Sequence, residues 1–326
     1  MTYSAKLWPS AHMVMVNWNQ RANTLESIRS LLKLDYSRLS LVVVDNGSED
    51  GSVDAIKREF PGITILENAT NLGAPIALNQ GMKHALQHGA DYICLMDNDI
   101  LADEQMLKEL ITVAESDPRI AATGPKMYYY DSPKTIWCAG AKIVWKSAET
   151  FRLQAEQIDG DNEKPEPQDV DMIPSCALCI KRAALEAVGL MDPRYFVYYN
   201  DSDWCARAIS QGGRIVYVPS AKLWHKVSAT TKAASPTVDY YMTRNRFLFL
   251  VRNLSGIRRY QALLYTGMRN LLAIAAYTVK SHNGHRIPHR NARLLALRDA
   301  MLGRWGEMSV AAKKLCGSIS QRTSVR

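Results

Sequence analysis

The first third of this 326-residue chain alternates short apolar segments with amphipathic ones, and this alternation most constrains its fold. The apolar segments predict strands, and the amphipathic segment after each predicts a helix. Strands that are almost wholly apolar are typical of a parallel sheet covered by helices on both faces. The predicted strands are His12–Asn17, Leu39–Asp45, Ile63–Glu67 and Asp91–Asp97, and the predicted helices are Asn23–Leu34, Ser52–Phe60, Ala74–His88 and Asp103–Ser116.

Polar residues follow every one of these predicted strands. Because ligands of parallel sheets bind beyond the carboxyl ends of the strands, we expect these loops to converge on one rim. The loops are Asn17-Trp18-Asn19, Asp45-Asn46-Gly47-Ser48, Asn68 to Gly73, and Asp97-Asn98-Asp99.

The Asp97-Asn98-Asp99 loop carries two carboxylates separated by one residue. In an extended chain, residues i and i+2 point the same way, so both carboxylates can face one cation. Oxygen ligands suit Mg²⁺ or Mn²⁺, which commonly neutralise substrate phosphates. Asp and Asn also crowd strand-ending turns for backbone reasons, so a turn without a metal remains the alternative.

A second acidic pair, Asp201 and Asp203, lies at the start of a predicted helix over Ser202–Gln211. One carboxylate there can cap the helix, or it can act as the general base that deprotonates an acceptor hydroxyl. His225 follows a predicted strand over Ile215–Val218. It is either a third metal ligand or a structural histidine.

The rest of the middle of the chain is less regular. The polar segment Phe151–Asp171 contains two prolines and predicts a mobile loop near the site, while Ile180–Val188 predicts a helix. The six cysteines are scattered without zinc-finger spacing, and no signal peptide is evident at the N-terminus. We therefore expect buried, reduced thiols in a cytoplasmic protein.

The C-terminal part of the chain is strongly basic. Residues 244–326 carry sixteen Lys and Arg against two acids, whereas the whole chain has a net charge of +8. Such a tail suggests an anionic partner. The apolar segment Gln261–Val279 contains Arg269 at its centre, which disfavours a spanning helix. A helix in the membrane interface and a helical cap packed on the domain both remain open.

Taken together, these motifs resemble the glycosyltransferase family 2 pattern on the GT-A fold, in its bacterial rhamnosyltransferase-like branch of surface polysaccharide biosynthesis. The resemblance covers about residues 11–250, and its strength lies in the order of the motifs. They are Val14 to Asn19, Val42 to Ser48, Asn71-Leu72-Gly73, Asn79-Gln80-Gly81, Asp97-Asn98-Asp99, Gly189 to Asp192, Asp201-Ser202-Asp203, Arg207, Pro219 with His225, and Arg244-Asn245.

The resemblance implies a Rossmann-like α/β fold with a mostly parallel central sheet. We expect a catalytic domain over residues 1–250, with a nucleotide-sugar half at about 11–125 and an acceptor half at about 126–250. Residues 251–326 then form a basic amphipathic helical region, which we expect to associate peripherally with the cytoplasmic face of an anionic inner membrane.

The resemblance also implies a role for each matching residue. Asp201 would be the general base, with Asp203 as fallback, and Asp45 would accept a hydrogen bond from a pyrimidine ring N–H. Arg207 and Arg244 would contact phosphates. The metal ligands would be Asp99, His225 and Asp97. The donor pocket would be formed by Val16, Asn17, Trp18, Asn19, Asp45, Asn46, Asn71, Gly73, Asn79, Asp97 and Asn98.

The implied reaction is an inverting transfer of rhamnose or another hexose from a dTDP- or UDP-sugar. The acceptor would be a glycan or a polyprenyl-diphosphate-linked glycan, and the cofactor Mg²⁺ or Mn²⁺. Asn200 stands where the family usually has Glu, which removes a charge beside the base.

Two other classes compete with this interpretation. A nucleotidyltransferase acting on sugar phosphates also uses a nucleotide, a metal and acidic residues, but Asn17-Trp18-Asn19-Gln20 offers neither the Gly-rich loop nor the Lys expected at its first strand. A non-enzymatic nucleic-acid-binding protein would use the basic tail, yet it leaves the acidic loops without a purpose.

Overall fold

The structure, a computed structural model, describes residues 8–160, 166–227, 235–279 and 286–316. The described strands are β1 (Ala11–Asn17), β2 (Leu39–Asp45), β3 (Thr64–Glu67), β4 (Tyr92–Met96), β5 (Ile100–Ala102), β6 (Ile120–Tyr129), β7 (Ile136–Cys138), β8 (Ala141–Val144), β9 (Glu149–Arg152), β10 (Gln168–Val170), β11 (Ala177–Lys181) and β12 (Arg214–His225).

The described helices are α1 (Arg21–Leu31), α2 (Ser52–Glu59), α3 (Ala74–Gln87), α4 (Met106–Ser116), α5 (Arg182–Val188), α6 (Asn200–Ser210), α7 (Pro236–Asn253), α8 (Gly256–Val279), α9 (Ile287–Met301) and α10 (Val310–Leu315), with a short 3-10 helix at Pro193–Tyr195.

Two compact units share these elements. The first unit takes the described residues within 1–142, 151–191 and 204–227, and the second unit takes those within 143–150, 192–203 and 228–326. This division differs from the predicted boundary at residue 250, because residues 143–150 and 192–203 pack with the C-terminal helices. The assignment of a catalytic domain to residues 1–250 stays a prediction.

A mixed central sheet forms the first unit. Its strand order is β10-β12-β6-β11-β4-β1-β2-β3, with β5 and β7 paired at the side. The strands β3, β2, β1 and β4 run parallel, as the alternating pattern predicts. Nearly every residue of β1, β2 and β4 is buried, because helices cover both faces. The expected α/β architecture with a mostly parallel centre is confirmed.

Two sequence predictions for the middle of the chain differ in part from the structure. The predicted helix over Ile180–Val188 begins only at Arg182, because Ala177–Lys181 pairs antiparallel with β4. In the predicted mobile loop Phe151–Asp171, backbone hydrogen bonds join Leu153 to Gly140 and Glu156 to Ile136. The described part of that segment is therefore fixed to the sheet, while residues 161–165 lie outside the described residues.

The cysteines also differ in part from expectation. Cys138, Cys176, Cys205 and Cys316 are buried free thiols, as predicted. Cys94 and Cys179 instead form a disulfide. They occupy directly opposed positions of β4 and β11, and this antiparallel register brings their sulfur atoms together.

Helices dominate the second unit. Ser235 caps α7 by accepting a hydrogen bond from the Val238 amide, and Pro236 occupies the first helical turn. Tyr240 and Tyr241 of α7 lie in one buried cluster with Ala292 and Ala296 of α9. None of the helices in the described part of the chain has the length and apolar character that a membrane span requires.

Gly81, in the motif Asn79-Gln80-Gly81, sets how closely α3 approaches β1. A Cβ atom at this position would lie 2.2 Å from Cγ1 of the buried Val14. Only a residue without a side chain leaves room for that contact, so the glycine serves the packing of helix against sheet.

We predict that Gly81→Ala lowers the free energy of unfolding by about 1–3 kcal/mol, because overpacking forces α3 and β1 apart. Urea denaturation followed by circular dichroism measures this. Gly62→Ala is the matched control, since a Cβ there meets no described atom within 4 Å. Equal stability of the two variants would contradict the packing argument.

Candidate active site

Asn17 lies at the centre of a hydrogen-bond network at the carboxyl end of β1. Its Nδ2 donates to Asp45 Oδ1 at 2.7 Å and to Ser48 Oγ at 3.0 Å. Its Oδ1 accepts from Thr24 Oγ1 and from Asn98 Nδ2. The Asn17 side chain is fully buried, so these bonds link the loops after β1, β2 and β4 with the start of α1.

The loop after β3 joins this edge through Asn46. Asn46 Oδ1 accepts from the Leu72 amide at 3.1 Å, and Asn46 Nδ2 donates to Asn71 Oδ1 at 3.0 Å. Gly73 has φ +89°, a left-handed conformation that favours glycine, and its amide donates to Asn71. The four predicted loops therefore lie at one edge of the sheet.

The predicted donor residues differ in what they offer a ligand. Trp18 is 46% exposed, and so presents its ring to solvent. Asp45 and Asn46 are buried and already engaged within the loops. Asn79 forms a pair of hydrogen bonds with the backbone of Met191, which ties α3 to the segment after α5. Contacts of these side chains, of Val16 and of Asn19 with a nucleotide stay predictions.

Asp97, Asp99 and His225 form a cluster in the same unit. One potential ligand atom from each lies within 4.8 Å of the others. His225 Nε2 lies 3.0 Å from Asp99 Oδ1 and 3.8 Å from Asp97 Oδ2. Asp99 and His225 are buried, whereas half of the Asp97 side chain is exposed. Two carboxylates and an imidazole open to solvent on one side fit a divalent cation.

The sheet brings His225 to this cluster from far along the chain. β12 pairs antiparallel with β5, and this register sets His225 opposite Ile100, next to Asp99. Burial of the ring lowers its pKa, but the hydrogen bond to Asp99 and the charges of both aspartates outweigh burial and raise the pKa above its ordinary value.

Sequence reasoning missed two residues beside this cluster. Trp137 packs its ring edge-on against His225, with the ring centroids 4.7 Å apart. The guanidinium of Arg152 lies over the Trp137 ring, 5.0 Å from its centroid. Neither residue belongs to a motif, and they lie in two short strands, β7 and β9.

The second unit contains the other acidic pair, in the first turn of α6. Asp201 is partly exposed. Asp203 is fully buried, and its Oδ1 accepts from Tyr195 Oη at 3.2 Å and from Asn253 Nδ2 at 3.0 Å. Arg252 also pairs with Asp203. Asp203 thus anchors the turn, and Asp201 is the carboxylate that faces outward.

A strained turn precedes this helix. Phe196, Tyr198 and Tyr199 have φ of 62°, 61° and 69°, in a region that costs a non-glycine residue about 1–3 kcal/mol. Asn245 Nδ2 holds the turn by donating to the carbonyls of Tyr195, Val197 and Tyr198 at 2.9, 2.7 and 3.2 Å.

Arg244 supports the same turn. It is fully buried, donates to the Tyr195 carbonyl at 3.4 Å and to Asn245 Oδ1, and lies over the rings of Tyr240 and Tyr241. Arg207, in the first unit, donates to the carbonyls of Val188 and Leu190. Both guanidinium groups already serve protein oxygens, and a phosphate contact by either stays a prediction.

Comparison with known proteins identifies the family of this chain. Residues 13–188, more than half of the chain, match the family described as "Glycosyl transferase family 2". The chain belongs to glycosyltransferase family 2. It is therefore a glycosyltransferase, which decides between the three classes considered from the sequence.

Two curated relatives of this glycosyltransferase transfer rhamnose by name. One is the N-acetylglucosaminyl-diphospho-decaprenol L-rhamnosyltransferase of Mycobacterium tuberculosis, 26% identical over 83% of this chain and 93% of the relative. The other is the dTDP-rhamnosyl transferase RfbF of Shigella flexneri, 24% identical over 74% and 80%. The chain is thus rhamnosyltransferase-like, as the motifs indicate.

A solved structure shows the same fold. The mannosyltransferase PcManGT of Pyrobaculum calidifontis, in complex with GDP-Man and Mn²⁺, has a TM-score of 0.56 over 92% of this chain and 90% of its own, at 15% identity. The glycosyltransferase therefore has the GT-A fold, as expected, and that neighbour binds Mn²⁺.

We predict that Asn245→Ala lowers the free energy of unfolding by about 2 kcal/mol and slows transfer, since three carbonyls of a strained turn lose the Asn245 amide as a donor. Thermal unfolding and initial rates measure both effects. Asn291→Ala is the control, because this α9 amide donates at 3.4 Å to the Leu315 carbonyl and accepts from its chain neighbour Arg290. A variant as stable and active as the control would rule out the restraining role.

Proposed function

We propose that this glycosyltransferase moves rhamnose or another hexose from a dTDP- or UDP-sugar onto a glycan or polyprenyl-diphosphate-linked glycan, with inversion. The observation that carries the proposal is the Asp97, Asp99 and His225 cluster at the carboxyl edge of the sheet. Nucleotide ligands of such sheets bind at this edge, where a diphosphate needs positive charge.

The donor nucleotide is proposed to lie along the loops after β1 and β2. The exposed ring of Trp18 offers a stacking surface for the base. Asp45 is the proposed acceptor for a pyrimidine N–H, since a carboxylate oxygen has more than one lone pair and can accept from Asn17 and a base together. Asn71, Gly73 and Asn79 complete this side, with Val16, Asn19, Asn46 and Asn98.

Asp99, His225 and Asp97 are the proposed holders of Mg²⁺ or Mn²⁺. When bound there, the cation supplies the positive charge that offsets the charge of the departing diphosphate. The buried Asp99 and His225 fix the site, and the half-exposed Asp97 adjoins solvent, where a donor phosphate can approach. Arg207 and Arg244 are the proposed sources of further phosphate contacts.

Asp201 is the proposed general base. It would take the proton of the acceptor hydroxyl as that oxygen attacks the anomeric carbon. Its partial exposure supports this role, whereas Asp203 is committed to Tyr195, Asn253 and Arg252. Asn200 is buried beside it and adds no charge, so the base works without the neighbouring Glu that the family usually has.

We propose that the chain works at the cytoplasmic face of an anionic membrane. α8 exposes apolar side chains along its length, and it contains three arginines and no acid. Apolar and basic side chains on one helix are typical of a helix that lies in a bilayer interface. Flotation with vesicles containing anionic phospholipid tests this, and failure to float would contradict it.

We predict that dTDP- or UDP-sugars with Mn²⁺ or Mg²⁺ raise the melting temperature, because ligands that bind only the folded chain stabilise it. A thermal-shift panel with GDP-sugars as comparison measures this. Asp99→Ala removes a cluster residue and should abolish the metal-dependent part of the shift. Stabilisation by GDP-sugars alone would contradict the role of Asp45, and an unchanged shift in Asp99→Ala would contradict the metal site.

We predict that Asp201→Asn lowers the transfer rate by a factor of about 10²–10⁴, the usual contribution of a positioned general base. Donor binding should be unchanged, because the substitution removes only the proton acceptor. Initial rates of nucleoside diphosphate release measure the loss. Asp54→Asn, an exposed substitution on α2, is the control. A rate in Asp201→Asn equal to that control would remove Asp201 from the role.

A further inference from the structure

A cavity of about 840 Å³ lies in the second unit, at the corner where α7 ends and α8 begins. Its wall comes from three places: the corner itself, the first turns of α8, and the tip of the hairpin between β8 and β9. The residues that matter are Asn253, Leu254, Arg258, Ala262, Trp145 and Lys146.

This cavity adjoins the turn that carries the proposed base. Asn253, in the cavity wall, donates to Asp203 Oδ1 at 3.0 Å. Its neighbour Arg252 pairs with both Asp203 and Asp192. Asp203 lies two residues after Asp201 in the first turn of α6. The hydrogen bond from Asn253 to Asp203 therefore joins the cavity wall to that helical turn. The cavity thus lies beside the helical turn that contains Asp201.

The lining of the cavity combines positive charge with apolar surface. Lys146 and Arg258 are cationic, and none of the described lining residues is acidic. Lys146 Nζ lies 4.3 Å from the ring centroid of Tyr265, which places the hairpin tip against α8. Trp145, Leu254 and Ala262 supply apolar walls. This combination suits a ligand that has an anionic group joined directly to a hydrocarbon.

An apolar stripe on α8 begins one helical turn after Gln261, which also lines the cavity. Leu264, Met268 and Leu271 follow one another at helical spacing and are 67%, 55% and 59% exposed. Soluble proteins rarely expose a contiguous apolar surface of this extent without a partner. The 24-residue helix is about 36 Å long, enough to lie along several isoprenoid units.

We propose that the cavity binds the diphosphate of a prenyl-diphosphate-linked acceptor through Lys146 and Arg258, and that the prenyl chain runs along the apolar stripe of α8. This inference rests on the proposed function, since it names where the acceptor of that reaction is held. Lys146 and Arg258 are binding residues for the acceptor and take no part in the chemical step.

The test is isothermal titration calorimetry of the full chain with farnesyl diphosphate, a soluble prenyl diphosphate. The double variant Lys146→Gln with Arg258→Gln keeps side-chain length and removes both charges. We expect its Kd to rise at least about tenfold, because two charge-assisted contacts are lost. Inorganic diphosphate and farnesol should each bind more weakly than farnesyl diphosphate, since each offers half of the recognition.

The matched control is Arg304→Gln with Lys314→Gln, which removes the same charge from exposed positions of the same unit. Equal Kd values for wild type and the cavity variant, or an equal rise in the control, would overturn the proposal. Self-association through the exposed stripe would also overturn the proposal. In that case Leu264→Gln with Leu271→Gln would convert a dimer to a monomer and leave farnesyl diphosphate binding unchanged.

This measurement separates the two levels of inference, because it does not depend on turnover. The chain could bind farnesyl diphosphate in a charge-dependent way and yet transfer no sugar from any nucleotide donor. This result would contradict the proposed function and support the proposed binding site. Transfer to a water-soluble glycan acceptor without binding of farnesyl diphosphate would support the proposed function and contradict the proposed binding site.

Discussion

The hydrogen bonds of one buried amide, that of Asn17, hold the carboxyl edge of the sheet together. Through Asp45, Ser48, Thr24 and Asn98 they connect three of the polar loops. Each buried polar group left without a partner would cost about 1–3 kcal/mol, so the loops are fixed as a set. Asn98 lies between Asp97 and Asp99, and the position of both carboxylates therefore depends on the same amide.

A second buried arrangement organises the turn before α6. Arg244 is a fully buried cation, which is tolerated because its guanidinium is hydrogen-bonded and lies over aromatic rings. With Asn245 it restrains a turn whose backbone is strained at three positions. Strain of this kind persists only where the surroundings determine the conformation, and here it sets the direction from which α6 presents Asp201.

The parallel strands of the sheet could be predicted from the sequence alone. Strands such as Leu39–Asp45 are predicted by a local apolar run, and the polar residues at their ends indicate the binding edge. The antiparallel strand β11 was missed, because its partner β4 is far away in the chain and its apolar run merges with the next helix. Whether Arg244 faces solvent or a buried turn is likewise a tertiary property that no motif records.

The site shows the same division between local and tertiary information. Asp97, Asp99 and His225 were expected to meet, and the pairing of β12 with β5 brings them together. Trp137 and Arg152 carry no motif, so only the folded arrangement shows that they border His225. The cavity beside Lys146 and Arg258 depends on a hairpin tip and a helix corner more than a hundred residues apart.

We propose a single displacement, in which an acceptor oxygen activated by Asp201 attacks the anomeric carbon from the side opposite the departing nucleotide. The most direct measurement is the anomeric configuration of the newly formed linkage, read from the one-bond carbon–hydrogen coupling of the product by NMR. A single displacement gives the configuration opposite to that of the donor. A product with the configuration of the donor would contradict it.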